Sequence, residues 1–252
     1  MPDLIRWFSQ VFWGLLRVGG FLMVVPIFGN QLVSRRIRIA MALAIAIAVA
    51  PLLSPMPILS ELSLELLLEV LLQLVAGVGL GFATMIFFQL FVVAGQFIGM
   101  QMGLGFAAMV DPGNGVQVTA LSQFFLLLVS MTFIAINGHL VLLDVLITGF
   151  KQFPAGLAVP TSELAWAIAG FGGWMFVGGV LVALPAVIAL LIVNLAFGVM
   201  SRSAPQLNVF SLGFPFSLVF GLVIIWFAIR GWLPQFDRLS GDFLQFALTW
   251  MR

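Results

Sequence analysis

From Val70 to Val110 the chain carries no charged residue. As one continuous helix this run would extend roughly 60 Å at 1.5 Å per residue, against a hydrocarbon core of about 30 Å. It has to bend, break or project beyond a bilayer. A break is written at its end, in "GLGFAAMVDPGNGVQ", Gly103 to Gln117. Gly103, Gly105, Gly113, Gly115 and Pro112 all favour turns, yet Leu104, Phe106, Ala107, Ala108, Met109 and Val110 are apolar and Asp111 is the single charge. A turn bathed in water normally carries polar residues. Non-helical backbone at membrane depth persists only where protein buries it or where it lines a cavity. A buried hairpin without moving parts and a segment lining a cavity both satisfy that rule.

Composition widens the constraint to the whole chain. Of 252 residues 63% are hydrophobic and 8% are charged, whereas a soluble domain is about 25% charged. An all-α membrane protein is the expected class, with lipid or other membrane-embedded protein as its solvent. The net charge is +1 and the ten basic residues are thinly spread, which argues against nucleic acid as a partner. The absence of cysteine excludes disulfides, thiolate catalysis and cysteine-ligated metals. Lys151 is the only lysine, so no glycine-rich loop has the lysine of a phosphate site. "GLGFAA" partly imitates a dinucleotide fingerprint, but no ribose-binding carboxylate follows about twenty residues on. No enzyme, cofactor or metal site is expected.

Charges punctuate the remaining runs. The first, Trp7 to Phe28, contains Arg17, and the basic cluster Arg35, Arg36 and Arg38 follows. Asp3, Arg6 and Arg17 interrupt the opening run, and the A-x-A-like site Ala48-Val49-Ala50 lies too deep for cleavage, so the first segment is expected to be retained. A second run covers Ile39 to Leu53, and further runs cover Pro112 to Asp144, Ala165 to Ser201 and Ser203 to Ile229. The coarse count is six long apolar helices, arranged in hairpins. The tail alternates Arg230, Asp237, Arg238, Asp242 and Arg252 with Phe236, Phe243, Phe246 and Trp250, which suits an amphipathic or docking helix. Orientation by positive charge is contradictory: the arginines at 35–38 claim the cytoplasmic side, and simple alternation then leaves Arg230, Arg238 and Arg252 outside. Helices that dip in and return would produce such a conflict.

Within the runs, Gly95, Gly99 and Gly103 recur every fourth residue, as do Gly77 and Gly81. That spacing lines one helix face with hydrogen atoms and lets another backbone approach. Gln89, Gln96 and Gln101 share the segment and are expected to face protein or a wet cavity, with inter-helix hydrogen bonding favoured over a transport pathway, because an unpaired amide in lipid costs about 1–3 kcal/mol. Glu61, Glu65 and Glu69 form one stripe, read as a solvated face. His139 stands alone in "INGHL", with no second ligand at metal spacing, and a structural hydrogen bond near a helix end is its expected role.

Three blocks carry a family resemblance: "PIFGNQLVSRRIRIAMALAIAIAVAP", "GQFIGMQMGLGFAAMVDP" and "FIAINGHLVLLDVLITGFKQFP". Their order and spacing resemble the FliR family of flagellar type III export-gate proteins, whose injectisome counterpart is called SctT. The resemblance implies a core subunit of that gate in the bacterial inner membrane, within the flagellar basal body. It implies assembly with FliP-like and FliQ-like subunits, association with an FlhB-like protein, and passage of unfolded export substrates. It also implies a FliP-like part over residues 1–162 and a FliQ-like hairpin with a charged tail over 163–252. The loop 103–117 would plug the pore. Phe106, Met109, Val110, Asp111 and Pro112 would close it, Gly103, Gly105, Gly113 and Gly115 would serve as hinges, and Gly95 and Gly99 would pack helices. The rival reading is a stand-alone multi-pass secondary transporter using Arg17, the glutamate stripe or His139, although no repeat relates the two halves.

Overall fold

The computed structural model describes residues 2–29, 33–53, 57, 63–105, 118–155, 161–203 and 209–250. Among them the secondary structure is helical throughout. The helices are α1 (Pro2–Val24), α2 (Pro26–Gly29), α3 (Arg35–Val49), α4 (Leu64–Gln101), α5 (Ala120–Ala135), α6 (Gly138–Gln152), α7 (Thr161–Ser203), α8 (Val209–Ala228) and α9 (Trp232–Trp250). Among the described residues four helical stretches are long and apolar enough to cross a membrane: Leu4–Val24, Leu64–Gln101, Ser162–Met200 and Gly213–Trp250. The pair α5 and α6, bent by 71°, would make a fifth if taken as one broken span. At 15 residues α3 reaches only about 22 Å and falls short of a bilayer.

Local sequence explains the boundaries. α1 stops at Val24 because Val25 precedes Pro26 and is pushed out of helical geometry. α3 begins where the Ser34 side chain accepts from Ile37 N, and Ser63 does the same for Leu66 N at the start of α4. The uncharged run after Pro112 does not form one helix. It breaks at Asn137, which takes a left-handed φ of 58°, a conformation that asparagine tolerates better than most residues. α9 buries Trp232, Phe236, Leu239, Phe243, Ala247 and Trp250. It exposes Asp237, Arg238 and Asp242, which is the amphipathic tail expected from the sequence.

The chain divides into two compact units whose segments interleave along the sequence. The first contains residues 1–87, 133–172 and 242–252. Here α1 lies directly against α4: Gly20 faces Leu74 and Val78, while Gly81 faces the Phe21 carbonyl and Val24. Gly77 is the tightest point, since a Cβ there would land on the Arg17 carbonyl, which is backbone and cannot rotate away. Gly77→Ala is expected to cost about 3 kcal/mol, the upper end for overpacking. Thermal unfolding of the purified protein reads this, and an unchanged midpoint would show that α1 can slide. On its other face α1 meets α3, with Gly14 opposite Ala46, and Val11 packed on Ala46 and Ala50.

The second unit contains residues 88–132 and 173–241. Phe91 packs on Trp232 and Phe236, and Phe125 on Trp232, whose indole N–H donates to Thr132 Oγ1 at 3.0 Å. Gly178 and Gly179 sit against Leu90 and Val93, and Gly221 against Met102. Outward, Phe176, Val177, Leu181, Leu184 and Ile188 of α7 and Val219, Leu222 and Val223 of α8 are exposed. In the apolar 18-residue window of the α7 stretch only 28% of residues are buried within the chain, and in that of the α8–α9 stretch only 22%. These faces require lipid or further protein.

Candidate functional site: the base of the 103–117 loop

The end of α4 is formed by its own chemistry. Gly103 takes φ 84°, its N–H bonds the Met100 carbonyl at 3.0 Å, and Leu104 N–H bonds the Gly99 carbonyl at 2.9 Å. This pair of bonds is a Schellman cap, in which a left-handed residue satisfies the orphan carbonyls of a helix end. Glycine is the residue that takes φ near +84° without strain, so the conformation of Gly103 accounts for the end of α4.

The return stem is clamped to the same turns of α4. Gln96 Oε1 accepts from Thr119 N at 2.9 Å and from Ser122 Oγ at 3.0 Å. Thr119 caps α5: its Oγ1 accepts from Ser122 N at 3.3 Å and lies 3.0 Å from Ser122 Oγ. Both Thr119 and Ser122 are buried. Glycine makes this approach possible. A Cβ on Gly95 would come within 2.8 Å of Ser122 Cα, and one on Gly99 within 2.6 Å of Thr119 Oγ1. Gln96→Leu removes an acceptor shared by two buried donors and is expected to cost about 1–3 kcal/mol. Amide hydrogen exchange from Thr119 to Ser122 should then accelerate about tenfold or more. Unaltered exchange there would mean that Gln96 does not hold the stem.

The last turn of α4 is also tied to the apolar hairpin behind it. Asn194 Nδ2 in α7 donates to the Gln101 carbonyl at 3.2 Å, and Ser217 Oγ in α8 donates to Asn194 Oδ1 at 2.6 Å. Met102 is buried against Gly221. Both stems of the loop are thus anchored in one unit by partly buried polar bonds.

Of the residues singled out from sequence, Gly95, Gly99, Gly103 and Gly105 belong to this base. Phe106, Met109, Val110, Asp111, Pro112, Gly113 and Gly115 lie outside the described residues, as does Glu61. Gln96 faces protein as expected, and Gln89 and Gln101 are half-buried. Thr119, Ser122, Asn194 and Ser217 were not anticipated. A Thr-x-x-Ser pair at the start of an apolar run, and a lone Asn inside another, were the available signals.

The other polar centre of the chain lies in the first unit, around Arg17. It is fully buried, and its Nη2 donates to Gln73 Oε1 at 2.5 Å and to the Phe153 carbonyl at 2.6 Å. The guanidinium lies 3.9 Å from the centre of the Phe150 ring. Gln73 Nε2 in turn donates to Glu69 Oε1 at 2.7 Å. The glutamate stripe therefore divides: Glu65 is exposed, and Glu69 is half-buried and joined through Gln73 to Arg17. Arg17 Nε and Nη1 and His139 Nδ1 are buried without a hydrogen-bond partner among the described residues. His139 packs at the start of α6 among Phe21, Leu22, Val25 and Phe133.

Long apolar helices, a glycine-terminated break within a charge-free run, and a partly buried polar clamp across that break define a polytopic helical membrane protein with an anchored internal loop. Residues 8–243 match the family model described as bacterial export proteins, family 1. The chain is 34% identical over 223 residues to flagellar biosynthetic protein FliR of Pectobacterium carotovorum subsp. carotovorum, covering 88% of this chain and 85% of that one. It is likewise 34% identical over 221 residues to FliR of Escherichia coli K12, covering 88% and 84%. FliR of Bacillus subtilis 168 is 29% identical over 226 residues, covering 88% and 86%. The chain belongs to the FliR family of bacterial export proteins.

Proposed function

We propose that the chain is a core subunit of the flagellar type III export gate in the bacterial inner membrane, at the flagellar basal body. In this reading it assembles with FliP-like and FliQ-like subunits, with an FlhB-like protein alongside, around a conduit for unfolded flagellar proteins. Residues 1–162 supply the FliP-like part and 163–252 the FliQ-like hairpin. The loop 103–117 closes the conduit, with Phe106, Met109, Val110, Asp111 and Pro112 filling it and the loop glycines acting as hinges. The observation that carries the reading is the family match over nearly the whole chain. Two structural features support it. The loop stems are clamped together at Gln96, Thr119 and Ser122, which suits a segment held in place at its base. The outward faces of α7 and α8 leave large apolar surface for neighbouring subunits or lipid.

Assembly tests the proposal. The tagged chain, purified from a flagellated cell, should be recovered with FliP-like and FliQ-like subunits and should lose stability when expressed without them. A stable homogeneous chain that transports a small solute alone in liposomes would overturn it in favour of a secondary transporter.

A further inference from the structure

The first turns of α3 and the adjoining face of α1 frame a cleft of about 330 Å³, lined by Gly19, Met23, Arg35, Arg38, Ile39 and Ala42. Two chemistries meet along it. Arg35 and Arg38 line one end, with Arg36 next to Arg35 in sequence, at the N-terminus of a 15-residue helix whose dipole adds positive potential. Arg35 and Arg36 are exposed. Arg38 is half-buried and secured by bonds to the Phe28 and Val33 carbonyls at 3.1 and 3.4 Å. Away from that end, α3 carries no charge up to Val49, and Ile39, Leu43 and Ile47 are exposed, as is Met23 on α1. None of the residues lining the cleft is acidic.

We propose that this cleft binds an anionic phospholipid of the bilayer, its phosphate against Arg35 of the lining, with the exposed Arg36 adding positive charge outside the cleft, and one acyl chain along Met23, Ile39 and Ala42. The polarity of the site matches an amphiphile. An acidic protein segment would satisfy the arginines but would leave the aliphatic side chains in contact with nothing apolar. A neutral lipid would fill the groove but would bring no net negative charge to the exposed Arg35 and Arg36. Basic residues at the end of an apolar helix are the usual signature of anionic headgroup recognition.

The chain has no cysteine, so Leu43→Cys, at an exposed site one turn from Ile39, accepts a single fluorophore. The labelled full chain, purified with its co-expressed partners in detergent, is titrated with brominated dioleoyl-phosphatidylglycerol and, separately, brominated dioleoyl-phosphatidylcholine as quenchers. Phosphatidylglycerol should quench at a concentration about thirtyfold lower than phosphatidylcholine, as expected for two arginines near the surface. Arg35→Gln with Arg36→Gln should erase that difference. Gly19→Leu should weaken quenching by both lipids, because a Cβ at Gly19 meets nothing within 4 Å and the longer side chain can occupy the groove without a clash. Equal quenching by the two lipids, or a preference that survives the double arginine variant, would overturn the proposal. So would a co-purified subunit that shields the label from both lipids. None of these outcomes depends on whether the complex exports protein, so failure here leaves the export-gate reading standing.

Discussion

An Arg17→Ala chain should unfold at a melting temperature about 10 °C below that of the parent, a loss of about 3–5 kcal/mol. The loss has three sources. Gln73 Oε1 and the Phe153 carbonyl lose their donor, the face of Phe150 loses the guanidinium packed 3.9 Å above it, and a cavity opens between α1 and its neighbours. Restoring volume without charge should reverse most of this. In Arg17→Met combined with Gln73→Met, the buried donors Nε and Nη1 that have no described partner are gone together with the amide they accompany. Replacing a buried polar cluster by apolar side chains of similar size is often neutral, so the double variant should lie within about 1 kcal/mol of the parent. The two sites should therefore be strongly non-additive. If the double variant were less stable than Arg17→Ala, the charge itself would be stabilising the unit. If Arg17→Ala had no effect, the cluster would not hold α1 in place. Arg17→Lys should resemble Ala more than the parent, since an ammonium neither stacks on Phe150 nor donates in two fixed directions.

Arg17 also shows where sequence reading stops. Its rarity within an apolar run is visible, and an intramembrane charge invites a functional hypothesis. Its partners are 56 and 136 residues away, and no local pattern encodes them. Features that depend on a residue's own conformational preference were legible. Gly103 ends α4, and the 3.6-residue period of α9 sorts its aromatics from its charges, whereas the left-handed turn at Asn137 that splits the run after Pro112 was not read from the sequence. Glycine spacing announced close helix contacts without naming the partner, because Gly77 and Gly81 serve α1 while Gly95 and Gly99 serve the start of α5. The site was half legible for the same reason. Gln96 had to face something polar, but that the something is a helix cap made by Thr119 and Ser122 emerges only when the two stems meet.

Deleting residues 106–115, or replacing Phe106 and Met109 by glycine, should convert the closed gate into a leak for ions and small solutes. An apolar constriction blocks a pore by excluding water, and it fails once water can wet it. Phe106 and Met109 are two of the three bulkiest apolar side chains between Gly103 and Gln117, the third being Leu104 at the stem, so glycine at both removes most of the bulk beyond Gly105 that could keep a lumen dry. The variants leave Gly99, Gly103, Gln96, Thr119 and Ser122 untouched, and with them both anchored stems. Assembly should therefore survive, which separates a lost stopper from a lost fold. The measurement is conductance of the purified complex in a planar bilayer, rising from background to an open-channel level, alongside recovery of the partner subunits in parental amounts. Impermeable complexes that still export normally would mean that the loop is a buried connection between α4 and α5 and that closure resides elsewhere. A leak accompanied by loss of partners would trace the defect to assembly and would likewise count against the loop as the seal. With the stems fixed by partly buried hydrogen bonds, motion that opens such a gate has to originate beyond Gly103 on one side and before Thr119 on the other. Substitutions that stiffen the segment between those anchors, such as Gly113→Ala with Gly115→Ala, should slow export without raising the leak.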